Sequence, residues 1–263
     1  MIRLACATLC AEGFGYKDFT ATFEMLPAAG FKYVEFNLWE AATMLPSVGR
    51  DLRARCERAS LTPAAVYGHG FGAESDFDIA KDVAHKVRLM EIARDLGCSR
   101  IVATGAGRGE GGGLDRTIRT LEKLLPAAED LDMLVCLENH AGSTFETVDD
   151  YARICEAIPS ARVGICIDTG HFDASDVDMD QLIDTLGERV VHLHVKENRG
   201  RGRADFTRFG EGTTDNHHIV ERMVQLGYRG YITVELSPQK DRPTSVADLR
   251  TAYEMFAGFE REE

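Results

Sequence analysis

Short apolar runs and longer amphipathic stretches alternate along this chain from end to end. Runs rich in Val, Ile, Leu and Ala at residues 3–9, 33–37, 64–67, 100–104, 133–138, 163–168, 190–195 and 231–235 read as buried strands of a parallel sheet. The stretches between them have helical spacing. Residues 16–29 place Phe19, Phe23 and Leu26 on one side and stop at Gly30, as a left-handed C-terminal cap requires. Residues 78–96 group Ile79, Val83, Val87, Met90 and Ile92 and stop at Gly97. Further helices are expected at 48–59, 115–129, 179–186, 217–226 and 246–259, and one from Thr147 with Asp149 and Asp150 in its first turn. Eight strand–helix units in strict alternation, without a linker or composition break, predict an α/β fold. The expected form is a closed (β/α)₈ TIM barrel, a single domain over 1–263, rather than an open doubly wound sheet.

Polar residues recur where these runs end. Glu138 closes 133–138, Asp168 closes 163–168, His192 and His194 fall near the end of 190–195, and Glu235 closes 231–235. Asp168 follows Glu138 by 30 residues, His194 follows Asp168 by 26, and Glu235 follows His194 by 41, each separation suiting one strand plus its helix. In such a barrel these ends form the active-site face. A carboxylate is costly to bury unless it is paired, hydrogen-bonded or bound to a cation. Alternation puts Cys136, Glu138 and His140 on one face, Gly164, Cys166 and Asp168 on another, and His192 with His194 on a third. Two Glu, one Asp and one His suit Mn²⁺, Mg²⁺ or Co²⁺ with exchangeable positions better than a closed structural zinc site. The competing arrangement pairs the acids with lumen arginines, for which the strands supply Arg3 and Arg100.

A net charge of −13 argues against a nucleic-acid surface or an anionic membrane as partner. Seven cysteines, none at CxxC spacing, read as reduced core thiols of a cytoplasmic protein. The opening segment through Cys10 is too short for a secretory signal before Glu12, and reads as the first strand. No window approaches the roughly 20 apolar residues of a membrane span.

Leu137-Glu138-Asn139-His140, Ile167-Asp168-Thr169-Gly170-His171, His192-Leu193-His194-Val195-Lys196-Glu197, Phe209-Gly210-Glu211-Gly212 and Thr233-Val234-Glu235 stand in this order along the chain. In these stretches the chain resembles the sugar phosphate isomerase/epimerase superfamily of xylose isomerase-like barrels. That superfamily also includes ketose 3-epimerases, hydroxypyruvate isomerase and endonuclease IV. The resemblance implies one divalent metal, Mn²⁺ first with Mg²⁺, Co²⁺ or Zn²⁺ as alternatives, on Glu138, Asp168, His194 and Glu235. It implies that Glu138 and Glu235 exchange the proton on the carbon beside a metal-bound carbonyl, and that His171 contacts the substrate oxygen. The expected activity is a sugar isomerase or epimerase of carbohydrate metabolism, with a small-molecule carbohydrate substrate and a homodimer or homotetramer as its assembly.

Other residues add to this expectation. His69, after the third strand, is a candidate lining residue of the pocket, and His192 reads as packed behind His194. His85, His217 and His218 read as solvated. The loop 197–212 carries Arg199, Arg201, Arg203 and Arg208, of which Arg199 and Arg203 are candidates to grip a phosphate or carboxylate; the alternative is a solvated flexible loop. The glycine-rich 105–113 reads as a mobile lid or phosphate-contacting loop, and Trp39 as a stacking ring or ordinary packing. Free-ketose 3-epimerases resembling this chain carry a glutamate where it has Thr144, and Leu-Glu-Pro where it has Leu-Glu-Asn. A plain ketohexose is therefore not the expected substrate. The alternatives are a lyase or dehydratase acting on a keto-inositol or 3-keto-glycoside and, further off, an endonuclease IV-like phosphodiesterase.

Overall fold

Alternate side chains of each strand enter two different cores, and closing the sheet creates the second. This computed structural model describes residues 1–15, 18–110, 112–238 and 241–261. Its strands are β1 (Ile2–Ala7), β2 (Tyr33–Asn37), β3 (Thr62–Tyr67), β4 (Arg100–Ala103), β5 (Leu134–Glu138), β6 (Val163–Asp168), β7 (Val190–Val195), β8 (Glu197–Asn198), β9 (Phe206–Thr207) and β10 (Gly230–Val234). Eight of them close into a parallel barrel in the order β1–β10–β7–β6–β5–β4–β3–β2, while β8 and β9 form a separate antiparallel ribbon. The helices are α1 (Leu9–Glu12), α2 (Thr20–Ala29), α3 (Pro46–Ala59), α4 (Asp76–Leu96), α5 (Gly113–Asp130), α6 (Val148–Ala157), α7 (Thr169–Ala174), α8 (Met179–Leu186), α9 (Asn216–Gln225) and α10 (Arg242–Phe256).

Leu4, Val34, Phe36, Val66, Ile101, Val135, Leu137, Ile165, Ile167, Leu193 and Ile232 face outward into the main apolar core against the helices. Ala65, Val102, Cys136 and Cys166 form a small apolar layer inside the barrel. The parallel register puts Asp168, His194 and Thr233 level across β6, β7 and β10, and sets Glu138 opposite Cys166. Inward-facing positions at one height therefore meet, although they are far apart in the chain.

Helix ends follow the local signals. Gly30 and Gly97 take the left-handed conformation, with φ of 105° and 91°, and close α2 and α4. Thr147 caps α6 in a reciprocal capping box with Asp150. The first helix is shorter than 16–29: α2 begins at Thr20, and Tyr16 lies outside the described residues. Three elements had no signal in the pattern. β1 ends at Ala7, and Leu9, expected in the first strand, opens the one-turn helix α1. Residues 169–174, expected as loop, form α7 because the Asp168 side chain caps it. The loop 197–212 is a built ribbon rather than a solvated flexible segment. Asn198 organises it: its side chain donates to Asp173 (2.8 Å), Gly200 O (2.7 Å) and Arg203 O (3.1 Å), and accepts from Asp205 N (2.8 Å). Among the described residues no helix is long and apolar enough to cross a membrane, and all seven cysteines are free.

The loop after β3 is held from beneath by a buried lysine. Lys86 of α4 donates to Gly70 O at 3.1 Å and lies 4.8 Å from the Phe71 ring centre. Burial pushes its pKa down to about 8, and Asp82 offsets only part of that. The unfolded chain keeps an ordinary lysine near 10.5, so between these pH values it binds more protons than the folded one. Stability should therefore rise with pH through this window, by at most about 1.4 kcal/mol per unit. Urea unfolding of the protein and of Lys86→Met should diverge between about pH 8 and about pH 10. Parallel curves would refute the assignment.

Candidate metal and substrate site

The lumen near the C-terminal strand ends is a chain of buried ionisable groups. Glu35 projects inward from β2, where His192 Nε2 lies 2.9 Å and His194 Nε2 3.2 Å from its Oε2. Thr233 Oγ1 is 3.1 Å from His192 Nε2. His194 turns its other nitrogen upward, with Nδ1 2.5 Å from Glu138 Oε1 and 3.5 Å from Glu235 Oε1. Lys196 reaches back over the strand end, its Nζ 2.6 Å from Glu235 Oε2 and 3.0 Å from Asp168 Oδ2. These carboxylates and both histidines are essentially buried.

Surroundings divide the acids. Burial would raise Glu35, but His194 and His192 outweigh it and hold that carboxyl well below its ordinary range. Burial raises Glu138, and His194 only partly pulls it back. Burial also opposes charge on Glu235, yet Lys196 and then His194 hold it low. His194 itself is raised: burial opposes its charge, and Cys166 and the carboxylates of Glu35, Glu138 and Glu235 overcome it. Since burial also keeps the Cys166 thiol protonated, the carboxylates are what act on His194 at neutral pH. Behind it, burial lowers His192 to about 4, so this ring is neutral.

The donor set fits a divalent ion. One ligand atom from each of Glu138, Asp168, His194 and Glu235 lies within 4.8 Å of the others. A single ion with bonds of about 2.0–2.4 Å spans that. Glu138 Oε2 and Asp168 Oδ2 are buried without a hydrogen-bond partner among the described residues, a costly state that a cation relieves. Lys196 approaches Asp168 Oδ2 to ion-pair distance without hydrogen-bond alignment, and the other oxygen of Asp168 accepts from His171 N at 2.8 Å. Glu35 behind His194 Nε2 fixes the ring so that Nδ1 faces the acids, the carboxylate-behind-histidine arrangement of metal sites. Glu35, His192 and His194 also lie within metal-binding span of one another; there Glu35 Oε2 already faces both histidine Nε2 atoms, while Glu35 Oε1 and His192 Nδ1 have no hydrogen-bond partner among the described residues.

The strand-end backbones are pinned by side chains that extend the ladder. Asn139 donates to Asp168 O at 3.0 Å and accepts from Asp168 N at 2.8 Å. A proline at 139 could make neither bond. Thr169 Oγ1 accepts from Lys196 N at 3.0 Å and bonds Asn216 Oδ1 at 2.5 Å, which fixes where Lys196 leaves β7.

Above the acids opens a cavity of about 440 Å³, lined by Phe14, Trp39, Tyr67 and Phe206, by His140 and His171, and by Lys196, Arg199, Arg208 and Glu235. Trp39 stacks on Phe14 with ring centres 5.3 Å apart, and His140 stacks on His171 at 3.6 Å. His171 Nδ1 accepts from Ala141 N at 3.3 Å, which leaves Nε2 to carry the proton. Burial and the Lys196 charge push the His171 pKa far down, so the ring is neutral.

Other sequence candidates sit elsewhere. His69 is outside the lining, with Nε2 2.5 Å from Trp39 O, so it supports the tryptophan from behind. Arg203 is exposed and bonded to Asp205 at 2.7 Å, also outside the cavity. Arg199 and Arg208 line it but are paired, the first with Glu211 (3.2 Å) and Asp205 (3.5 Å), the second with Asp248 (2.7 Å). The described part of 105–113 is no lid. Arg108 ties it sideways to Glu146 and Asp150, and Thr144 donates to Ala106 O through both N (2.8 Å) and Oγ1 (3.1 Å). Gly111 lies outside the described residues. Arg3 and Arg100 stand at the opposite barrel end and pair with none of the acids; Lys196 takes that place. His218 bonds Asp180 at 3.0 Å on the surface, and His85 is half-buried rather than solvated. Sequence reasoning assigned no role to Glu35, Lys196, Phe14, Tyr67 or Phe206. A charged residue inside the run 33–37 was the available signal for Glu35, whereas nothing local marks the aromatic wall.

A model of the xylose isomerase-like TIM barrel family matches residues 23–255. The 2-oxo-tetronate isomerase of Haemophilus influenzae is 25% identical over 255 residues, covering 89% of this chain and 93% of that enzyme. The inosose dehydratase of Lactiplantibacillus plantarum is 27% identical over 157 residues, 53% of this chain and 52% of the enzyme. The chain thus spans about half the length of the first curated relatives it matches. Among solved structures, the IOLI protein with a bound zinc atom superposes with a TM-score of 0.82 at 17% identity, covering 98% of this chain and 99% of that one. An L-ribulose 3-epimerase superposes at 0.79 and 18%, covering 98% and 94%. Both likenesses show the fold.

Metal analysis tests the ligand set. Asp168→Ala and His194→Ala, produced with Mn²⁺ present, should each lose most of the bound ion, whereas Arg203→Ala should keep it. Full metal content in both ligand variants would overturn the site.

Proposed function

Because the chain belongs to the xylose isomerase-like TIM barrel family, we propose that it is a divalent-metal-dependent isomerase or epimerase that moves the proton beside a carbonyl of a small keto-sugar or sugar derivative. The observation that supports this most is the meeting of Glu138, Asp168, His194 and Glu235 at the floor of the aromatic-walled cavity. A bound divalent ion, Mn²⁺ first, would polarise the carbonyl and stabilise the charge left when the proton departs, by several kcal/mol.

The remaining work falls to the chain's own residues. Glu138 and Glu235 come from β5 and the end of β10, with β6 and β7 between them, so they reach a bound sugar from two walls. Lys196, 2.6 Å away, keeps Glu235 ionised and suited to take a proton, and Glu138 on the opposite wall stands where a proton can be returned. The neutral His171 offers an Nε2–H to a substrate oxygen. The rings of Trp39, Phe14 and Phe206 give a sugar or cyclitol ring apolar faces to pack on.

An uncharged substrate fits better than a phosphorylated one. Each cation in the lining already faces a carboxylate: Lys196 faces Asp168 and Glu235, Arg199 faces Glu211 and Asp205, and Arg208 faces Asp248. A phosphate would have to break those pairs. A second reading, loss of water or an aglycone from a keto-inositol or 3-keto-glycoside, has one observation in its favour. The Lys196 ammonium beside Glu235 could hydrogen-bond a leaving oxygen and stabilise its developing charge.

NMR of the Mn²⁺-loaded protein with ketoses, keto-inositols and 3-keto-glycosides in D₂O tests both. Deuterium entering a sugar of unchanged formula is the expected result, loss of water or aglycone would establish the second reading, and no exchange with any substrate would overturn both. Glu138→Gln and Glu235→Gln should each slow exchange by about 10²–10⁴-fold. Arg199→Ala should change KM alike for neutral and anionic substrates, and a KM rise confined to anionic substrates would overturn the uncharged-substrate reading.

A further inference from the structure

At the end of the barrel opposite the acids, three arginines around one cavity have no carboxylate within ion-pair distance among the described residues. We propose that this floor is a binding site for a small multivalent oxyanion, a phosphate ester or a polycarboxylate, held by Arg3, Arg94 and Arg100.

A second cavity of about 500 Å³ opens there, lined by Arg3, Arg94 and Arg100 together with Thr62, Ser99 and Tyr231. Arg3 and Arg100 start β1 and β4 and point into the lumen, flanking one ring. Arg100 Cζ lies 5.2 Å from the Tyr231 ring centre, and Arg3 Nη1 donates to the Tyr231 hydroxyl at 3.4 Å. Arg3 also packs over Tyr33 at 4.9 Å. Arg100 Nε is buried without a hydrogen-bond partner among the described residues. The described residues give none of the three arginines a carboxylate within ion-pair distance. Asp132, the one acid lining this cavity, is committed to Arg162 at 2.5 Å. Glu35, in the lumen above, is hydrogen-bonded to His192 and His194 through Oε2 and is not within ion-pair distance of these arginines.

In a chain of net charge −13, acids are plentiful, and Arg199, Arg201, Arg203 and Arg208 all find one. Other arginines of the chain also lack an acid; what sets this end apart is that three of them line one cavity, Arg100 with its Nε buried. Tyrosine faces partly compensate a guanidinium but satisfy none of its in-plane N–H groups. Planar guanidinium forks match the paired oxygens of phosphate and carboxylate. Thr62 and Ser99 add hydroxyls at the rim. The site is separated from the acids by the lumen layer of Ala65, Val102, Cys136 and Cys166, so its ligand would not compete for them.

Isothermal titration of inorganic phosphate and, separately, citrate into the full-length metal-loaded protein tests this. Binding of at least one is expected, and which one binds distinguishes ester from carboxylate. Arg100→Gln should weaken it by about tenfold or more, as loss of a charged hydrogen bond does. Arg94→Ala, an exposed substitution that does not disturb the lumen, should weaken it by about threefold or more and carries the test if Arg100→Gln fails to fold. Arg199→Ala, at the other end, should leave it unchanged. No binding of either anion, or weakening by Arg199→Ala instead of Arg94→Ala, would overturn the proposal while leaving the reading of the acids intact.

Discussion

Burying carboxylates inside a closed sheet is the constraint from which the rest of this molecule follows. Glu35, Glu138, Asp168 and Glu235 are all within a few per cent of full burial, and the lumen offers them two cations, His194 and Lys196. The histidine serves two levels at once, with Nε2 on Glu35 below and Nδ1 toward Glu138 and Glu235 above. That arrangement holds the imidazole upright and leaves Glu138 Oε2 and Asp168 Oδ2 without hydrogen bonds. A divalent ion meets the need those oxygens express.

Side chains that extend the backbone ladder beyond the strands hold this cluster in place. Asn139 bridges to Asp168, Thr169 and Asn216 fix Lys196, and Glu197 accepts from Thr214 N at 3.0 Å to anchor the far end of the ribbon. The ribbon in turn brings Phe206 against His171, with ring centres 4.5 Å apart. One cavity wall therefore depends on hydrogen bonds made well outside it. The loop arginines belong to the same scaffold: their carboxylate partners make them braces of the ribbon, which shifts the expected substrate from an anion to an uncharged ring.

The two ends of the barrel are built on opposite electrostatic terms. Acids crowd the C-terminal strand ends, where cations are scarce. Arginines crowd the N-terminal end, where acids are already committed. The apolar layer between them keeps the two sets from cancelling.

Much of this was legible along the chain. The alternation of runs sets eight parallel strands, and strictly alternating units favour closure. Gly30, Gly97 and the Thr147–Asp150 pair mark helix ends through local backbone chemistry that needs no distant partner. The polar ends of β5, β6 and β7 and of the run 231–235 identify Glu138, Asp168, His194 and Glu235, since period-two alternation and a buried charge are both properties of a short segment. Tertiary structure decided the rest, because those facts depend on which strands become neighbours. Glu35 matters only because closure brings β2 across the lumen from β7, and Lys196 only because its strand end leans over Asp168 and Glu235. His69 and Arg203 have suitable chemistry, but the chain turns them away from the cavity, while Phe14, Tyr67 and Phe206 are carried into it from three separate loops and strands. Segment chemistry is written locally; convergence is a property of the closed barrel.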